Sequence, residues 1–488
     1  MRTSWLWSIV VIVTLLRAIA AARVPLTGDE AYYWEWSRHL ALGYTDHPPA
    51  VAYAIAFFAW LGQSPFAVRI PFVLCGLLAA AFCGATATRM SGDRRAGAIA
   101  ATAVALTPML FVAFGIATPD GPYLAFWALA LYLTVRAFDQ RSPQWFALLG
   151  AALAGAFLSR IFGAVLLAGV AAFAAAPKHR WAWRGPMWLM LGVFLLCIAP
   201  FLTWNAGNGW SSFVFAFVGR HAAHVQLTRP FLLHATIALA YSPGLYAAAL
   251  LLGARRDQPL IAWTALPLAV ALTALAFREP VEIYWFFGPF VSLCVAMGVA
   301  FVRLAQVSQR RWSVAAAGPA LVLSTLLFAA VFAPGAVYAG VRHFARLSDN
   351  GPFEAFSYPP LAADAQRLVH GPNEIVMTDG YGFSSLLDFY AGLTPVLIGY
   401  DAQGAEGRRW YGDASRPRRA LFLDKVPLPS RPDFQAQLDR ACRTVRPGPD
   451  LHYTYADASG IDVPPRRYYT TWCDGMRAGG IMTLRWGR

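Results

Sequence analysis

Charge is what this chain has little of. Only 14% of its 488 residues are Asp, Glu, Lys or Arg, against 58% hydrophobic, whereas soluble domains average about a quarter charged. That scarcity excludes a cytosolic enzyme and an intrinsically disordered chain, because both depend on a charge-rich solvated surface. Cysteine is sparse too, and six residues do not make the dense framework of a secreted disulfide scaffold. No CxxC or HExxH spacing occurs, so no metal-ligand motif is present. Lysine is almost missing, with two against 38 arginines; with abundant alanine, this is the composition of a GC-rich bacterial genome. No 20–50-residue repeat marks a solenoid.

The charge that exists is unevenly spread. Residues 1–339 hold 32 of the 66 charged side chains and residues 340–488 hold 34, so the first two thirds reads as membrane and the last third as water-soluble. A net charge of +14 raises the question of nucleic acid, but the arginines lie between apolar runs and form no single patch. Nucleic acid is therefore excluded as a partner, and membrane lipid is implied.

A helix needs about 20 mainly apolar residues to cross the hydrocarbon core. Eleven stretches qualify: 5–22, 66–88, 96–114, 119–136, 144–159, 161–176, 186–204, 231–253, 259–277, 284–304 and 314–338. The expected fold class is therefore mostly α, a polytopic membrane protein of about eleven transmembrane helices (residues 1–339) with a small α/β domain outside (residues 340–488). In that domain Glu374–Met377, Val396–Ile398 and Ala420–Leu423 read as strands, and Pro360–Val369 and Ser384–Ala391 as helices. Placing the N-terminus in the cytoplasm puts 14 basic residues in inner positions and seven in outer positions before residue 339, as the positive-inside rule requires. An odd span count then makes the C-terminal domain extracytoplasmic. Arg2 and the Ala18–Ala22 run resemble a signal peptide, but Arg17 interrupts the apolar stretch, and an uncleaved signal anchor is expected. Cys75, Cys83, Cys197 and Cys294 lie in spans as small apolar fillers. Cys442 and Cys473, in the outer domain, are expected to pair in an oxidising compartment.

Ten acidic residues precede residue 340, and seven of them, Asp29, Glu30, Glu35, Asp46, Asp120, Glu279 and Glu282, fall on the outer side. Carboxylates beside hydrocarbon are costly and mark sites. Asp29 and Glu30 sit in Thr27-Gly28-Asp29-Glu30-Ala31-Tyr32-Tyr33-Trp34-Glu35-Trp36, directly after the first span, where aromatic residues suit the interface. A helix over 29–40 turns Glu35 away from Asp29. The segment runs on to Asp46-His47-Pro48-Pro49, whose prolines end it and re-aim the chain.

With these motifs the chain resembles the membrane-embedded GT-C-fold glycosyltransferases that use polyprenyl-phosphate sugars, the superfamily of protein O-mannosyltransferases and the lipid A aminoarabinose transferase. Gly28-Asp29-Glu30 is similar to the first-loop acidic motif, and Asp46-His47-Pro48-Pro49 to the acidic-basic-Pro-Pro element. Thr118-Pro119-Asp120, Ser159-Arg160, Trp204-Asn205, Gly209-Trp210-Ser211-Ser212-Phe213 and Arg220 match further elements. Glu279-Pro280-Val281-Glu282-Ile283-Tyr284-Trp285 departs from the pattern, because Ile283-Tyr284 replaces Pro-His. Any role of that His is absent or altered here.

The resemblance implies an inverting glycosyltransferase moving a sugar from a polyprenyl-phosphate donor to an envelope glycolipid, lipid A or lipopolysaccharide core, at the outer face of the bacterial inner membrane. Asp29 is expected to be the base or to orient the acceptor, and Glu30 either assists it or caps the helix. His47, Arg160 and Arg220 are expected to receive the donor phosphate. Asp46, Asp120 and Glu282 are supporting residues, with Asp120 alternatively a helix cap. A divalent metal bridging Asp29 and the phosphate is left open. A protein O-mannosyltransferase is the second enzymatic reading. A lipid-sugar transporter is the reading of a different class, disfavoured because the acids lie at the rim and no repeat is seen.

Overall fold

The computed structural model describes residues 3–217, 225–253, 258–304, 306–341, 352–371, 374–378, 380–397, 419–456 and 462–477. They divide into two compact units. The first comprises Met1–Ala21, Ala41–Phe58 and Arg69–Phe328, and the second Ala22–Leu40, Ala59–Val68 and Ala329–Arg488.

The described residues of the first unit form helices joined by loops. Among the described residues, five helices are long and apolar enough to cross a membrane: Thr3–Arg23, Pro65–Ser91, Pro186–Gly207, Ile283–Phe301 and Gln306–Val331. Shorter apolar helices occupy Pro143–Ser159, Gly163–Ala174 and Pro259–Leu275. Every stretch expected to span is helical, yet the count of eleven spans is not confirmed. Proline accounts for two breaks. The stretch 96–114 divides at Thr107, ahead of Pro108, into Arg94–Leu106 and Pro108–Ala113. The stretch 231–253 is bent by 112° between Arg229–Ala240 and Pro243–Leu251. Ser242, whose φ is 78°, precedes Pro243 there, and a residue before proline is pushed out of the helical region.

Alanine dominates the interior, with Ala79, Ala100, Ala128, Ala152 and Ala296 at most 2% exposed, as close helix approach in lipid requires. Leu195, Leu196 and Trp188 remain exposed on their helix, and such apolar faces are stable only against hydrocarbon. Arg17 does not break the first helix. Its side chain is buried, Nη2 donates to the Ala105 carbonyl at 3.1 Å, and the guanidinium lies 5.2 and 5.5 Å from the Phe111 and Phe114 rings.

Among its described residues the second unit carries one six-stranded sheet with helices. Its strands are β1 Glu374–Thr378, β2 Val396–Leu397, β3 Arg419–Asp424, β4 Thr444–Pro447, β5 Leu451–Ala456 and β6 Asp462–Asp474. The order is β2-β1-β3-β6-β4, with β5 also on β6. β1 pairs parallel with β2 and β3, whereas β6 runs antiparallel to β3, β4 and β5. The helix Tyr381–Ala391 is the crossover between β1 and β2. Phe422 and Phe434 meet in the core at 4.8 Å, beside a bonded Cys442–Cys473 pair whose Cα atoms are 5.5 Å apart.

Candidate active site

Within the first unit a cavity of about 230 Å³ is lined by Asp46, His47, Arg160, Glu279 and Tyr284, with apolar walls that include Phe162, Leu272 and Trp285. Each charged residue arrives by a local structural cause. Arg160 follows the helix Pro143–Ser159 in an extended conformation (φ −146°, ψ 136°). The chain then restarts as Gly163–Ala174, and glycine is needed at that restart because a Cβ on Gly163 would lie 2.4 Å from the Phe157 nitrogen. Arg160 is 8% exposed, its Nε lies 2.9 Å from Asp120 Oδ1, and its Cζ lies 5.0 Å from the Tyr284 ring centre. Asp120 opens the helix Asp120–Gln140, where the N-terminal backbone dipoles favour a carboxylate. Its pairing with Arg160 therefore adds to the helix-terminus role.

Asp46 and His47 stand on the loop between Leu40 and the helix Ala50–Phe57. The matched Trp204–Phe213 region holds this loop without lining the cavity. Asn205 is fully buried, its Oδ1 accepts from the Ser212 backbone N–H at 3.2 Å, and Ser212 Oγ donates to the Tyr44 carbonyl at 2.6 Å. Asp46 and Glu279 are 7% and 8% exposed. Glu282, expected as the supporting acid of its motif, is exposed and does not line the cavity; Glu279 and Tyr284 of the same motif do. Arg220 lies outside the described residues.

The second unit holds the first-loop motif. Thr27 and Glu30 form a capping box on Gly28–Arg38, the Thr27 N–H donating to Glu30 Oε2 at 2.9 Å and the Glu30 N–H to Thr27 Oγ1 at 3.5 Å. Of the two roles open to Glu30, the geometry displays the cap. Asp29 is exposed at the first turn, and Oδ1 accepts from the Tyr381 hydroxyl at 2.9 Å. Glu35, on a different face, is buried and accepts from Ser385 Oγ. The backbones touch where Gly28 meets Gly382, since a Cβ on Gly382 would lie 2.9 Å from Gly28 Cα.

Tyr284, Glu279 and Tyr381 are the residues to which motif reading gave no role in the site. Tyr284 had a signal, since it stands where the related motif carries His. Tyr381 lies 352 positions from Asp29, and no local pattern links them. Among the described residues no group of three or more His, Cys, Asp or Glu is arranged to hold a metal ion, and no step is derived through one.

Residues 46–204 match the family model described as dolichyl-phosphate-mannose-protein mannosyltransferase. The lipid A galacturonosyltransferase RgtD of Rhizobium johnstonii is 31% identical over 182 residues, covering 36% of this chain and 38% of that relative. The match thus spans well under half of the relative's length. ArnT from Cupriavidus metallidurans in the apo state has the same fold, with a TM-score of 0.67 at 17% identity over 100% of this chain and 99% of that one. The same protein bound to undecaprenyl phosphate gives 0.66 at 17% identity, covering 96% and 98%. The chain thus has the fold of these ArnT structures, and its residues 46–204 resemble the dolichyl-phosphate-mannose-protein mannosyltransferase family.

Proposed function

We propose that this protein is an inverting glycosyltransferase that moves a sugar from a polyprenyl-phosphate donor to lipid A or lipopolysaccharide core. It acts at the outer face of the bacterial inner membrane, with a cytoplasmic N-terminus and residues 340–488 in the periplasm. One observation carries the reading. The cavity of the first unit presents both signs of charge between apolar walls, with Arg160 and His47 alongside Asp46 and Glu279.

Breaking a sugar–phosphate bond generates both charges. The anomeric carbon becomes oxocarbenium-like while the departing oxygen gains negative charge. A guanidinium with five N–H donors, and an imidazolium when protonated, suit the phosphate. Carboxylates in low-dielectric surroundings suit the cationic ring. Asp120, 2.9 Å from Arg160 Nε, holds the guanidinium in its pose. Arg220 is retained as a third phosphate ligand on the motif match alone. Asp29 takes the acceptor's proton if the acceptor is a sugar hydroxyl, and only positions it if the acceptor is an ionised phosphate.

Support for lipid A comes from the name of one relative, a lipid A galacturonosyltransferase, and support for a polyprenyl-phosphate donor from a protein of the same fold crystallised with undecaprenyl phosphate. A protein O-mannosyltransferase is the second reading, favoured by the family description over residues 46–204. Mass spectrometry of envelope glycolipids from a deletion strain decides between them. Loss of one sugar mass from lipid A or core, restored by wild type and not by Asp29→Asn at equal abundance, is the expected result. Unchanged glycolipids with altered glycoproteins would transfer the assignment to the second reading, and full restoration by Asp29→Asn would remove Asp29 from the chemistry.

A further inference from the structure

The helix Tyr381–Ala391 does more than complete the C-terminal sheet. Several independent contacts, all within the second unit, dock it along the first-loop helix Gly28–Arg38. The Gly28–Gly382 approach brings the two backbones together at one end, where the Tyr32 and Tyr381 rings lie 4.5 Å apart. Further along, Ser385 Oγ donates to Glu35, and Trp34 meets Phe389 edge-on at 5.0 Å. At the far end of the crossover helix the Leu26 N–H donates to the Tyr390 hydroxyl at 2.7 Å. Against this frame, the Tyr381 hydroxyl is the group that reaches the carboxylate of Asp29.

We infer that Tyr381 is a positioning residue for Asp29, so that the C-terminal domain sets the geometry of the reaction through its crossover helix. The inference rests on the proposed role of Asp29. A carboxylate at an exposed helix start rotates freely about χ1 and χ2, and either oxygen can face the acceptor. The phenol hydrogen bond to Oδ1 selects one rotamer and leaves Oδ2 as the oxygen offered to the acceptor hydroxyl. The hydroxyl stays protonated throughout; the acceptor's proton goes to Oδ2 as the new C–O bond forms and the C–O(phosphate) bond breaks. Misplacement of a catalytic group by a fraction of a bond length is costly to rate, whereas donor binding, assigned to the first unit, is left alone. Tyr32, packed against the Tyr381 ring, holds the phenol at the required angle.

The test uses the purified full chain in lipid nanodiscs, with the polyprenyl-phosphate sugar fraction extracted from wild-type cells as donor and glycolipid from the deletion strain as acceptor. Tyr381→Phe keeps the ring and removes only the donor. It is expected to lower kcat about tenfold with half-saturation by the donor extract unchanged. Tyr390→Phe, which removes a comparable hydrogen bond from the same helix at Leu26, is expected to leave both parameters at wild-type values. In an Asp29→Asn background Tyr381→Phe is expected to add no further loss. Equal effects of Tyr381→Phe and Tyr390→Phe, a rise in donor half-saturation without a change in kcat, or full additivity with Asp29→Asn would overturn the inference while leaving the glycosyltransferase reading in place. Wild-type activity of Asp29→Asn would instead refute the role of Asp29, and the inference with it.

Discussion

Separating Arg160 from Asp120 gives a sharp test of the cavity. Both side chains are at most 10% exposed and Nε lies 2.9 Å from Oδ1. At an effective dielectric constant of about 20 this separation corresponds to about 6 kcal/mol of attraction, most of it offset by the cost of removing two ions from water. The net value of the pair is therefore small, but the cost of breaking it is large, because the remaining ion keeps its desolvation penalty without its counter-charge. Arg160→Met and Asp120→Asn are each expected to destabilise the full chain by up to about 3–5 kcal/mol, because each leaves a buried ion without its counter-charge. The double variant, which removes both charges, is expected to cost less than the sum of the two single changes. The assay is equilibrium unfolding of purified protein in mixed micelles. Agreement of the double variant with that sum to within about 0.5 kcal/mol would show that the two residues are energetically independent and would refute the reasoning.

Two further outcomes follow from the second unit. Gly382→Ala forces a Cβ to within 2.9 Å of the Gly28 backbone, at a cost of about 1–3 kcal/mol in packing; limited proteolysis is expected to cleave 28–38 faster than in wild type. Gly192→Ala, where nothing lies within 4 Å, serves as the control, and equal cleavage rates would contradict the close approach. The second outcome concerns acid. The Arg446 guanidinium, with Arg419, holds the Asp474 carboxyl below the usual carboxylate range, and the His370 backbone N–H, with Arg419, does the same for Glu374. Lowered native values mean that these groups stabilise the fold above their unfolded pKa, about 4, and that this contribution is lost as pH falls through the native values. Hydrogen exchange in 419–424 and 462–474 is expected to accelerate below about pH 4, less steeply in Asp474→Asn; an unchanged pH dependence in that variant would refute the assignment.

Much of this protein was legible along the chain because membrane folding writes its rules locally. The apolar runs became helices since backbone groups in hydrocarbon must bond within their own segment. Glu30 was open to a capping role at a helix start, and β1, β3 and the helix Tyr381–Ala391 followed from short apolar patterns. The bend at Ser242 and the break at Thr107 were also written locally, in Pro243 and Pro108, but hydropathy averaged over a window passes across them. Strands β4, β5 and β6 escaped notice because Arg446, Tyr453, Arg466 and Thr470 make them polar on one face and give no apolar run.

Only the tertiary structure decided which residues meet. The acidic motifs marked where carboxylates stand, but not that Asp120 pairs with an arginine 40 positions on, nor that Glu279 and Tyr284 line the cavity while Glu282 does not. It also decided that Tyr381 reaches Asp29 across 352 residues. Helix and span formation depend on neighbours in sequence, whereas ion pairs and hydrogen bonds between elements depend on how those elements pack, and one chain's local pattern carries no record of that distance.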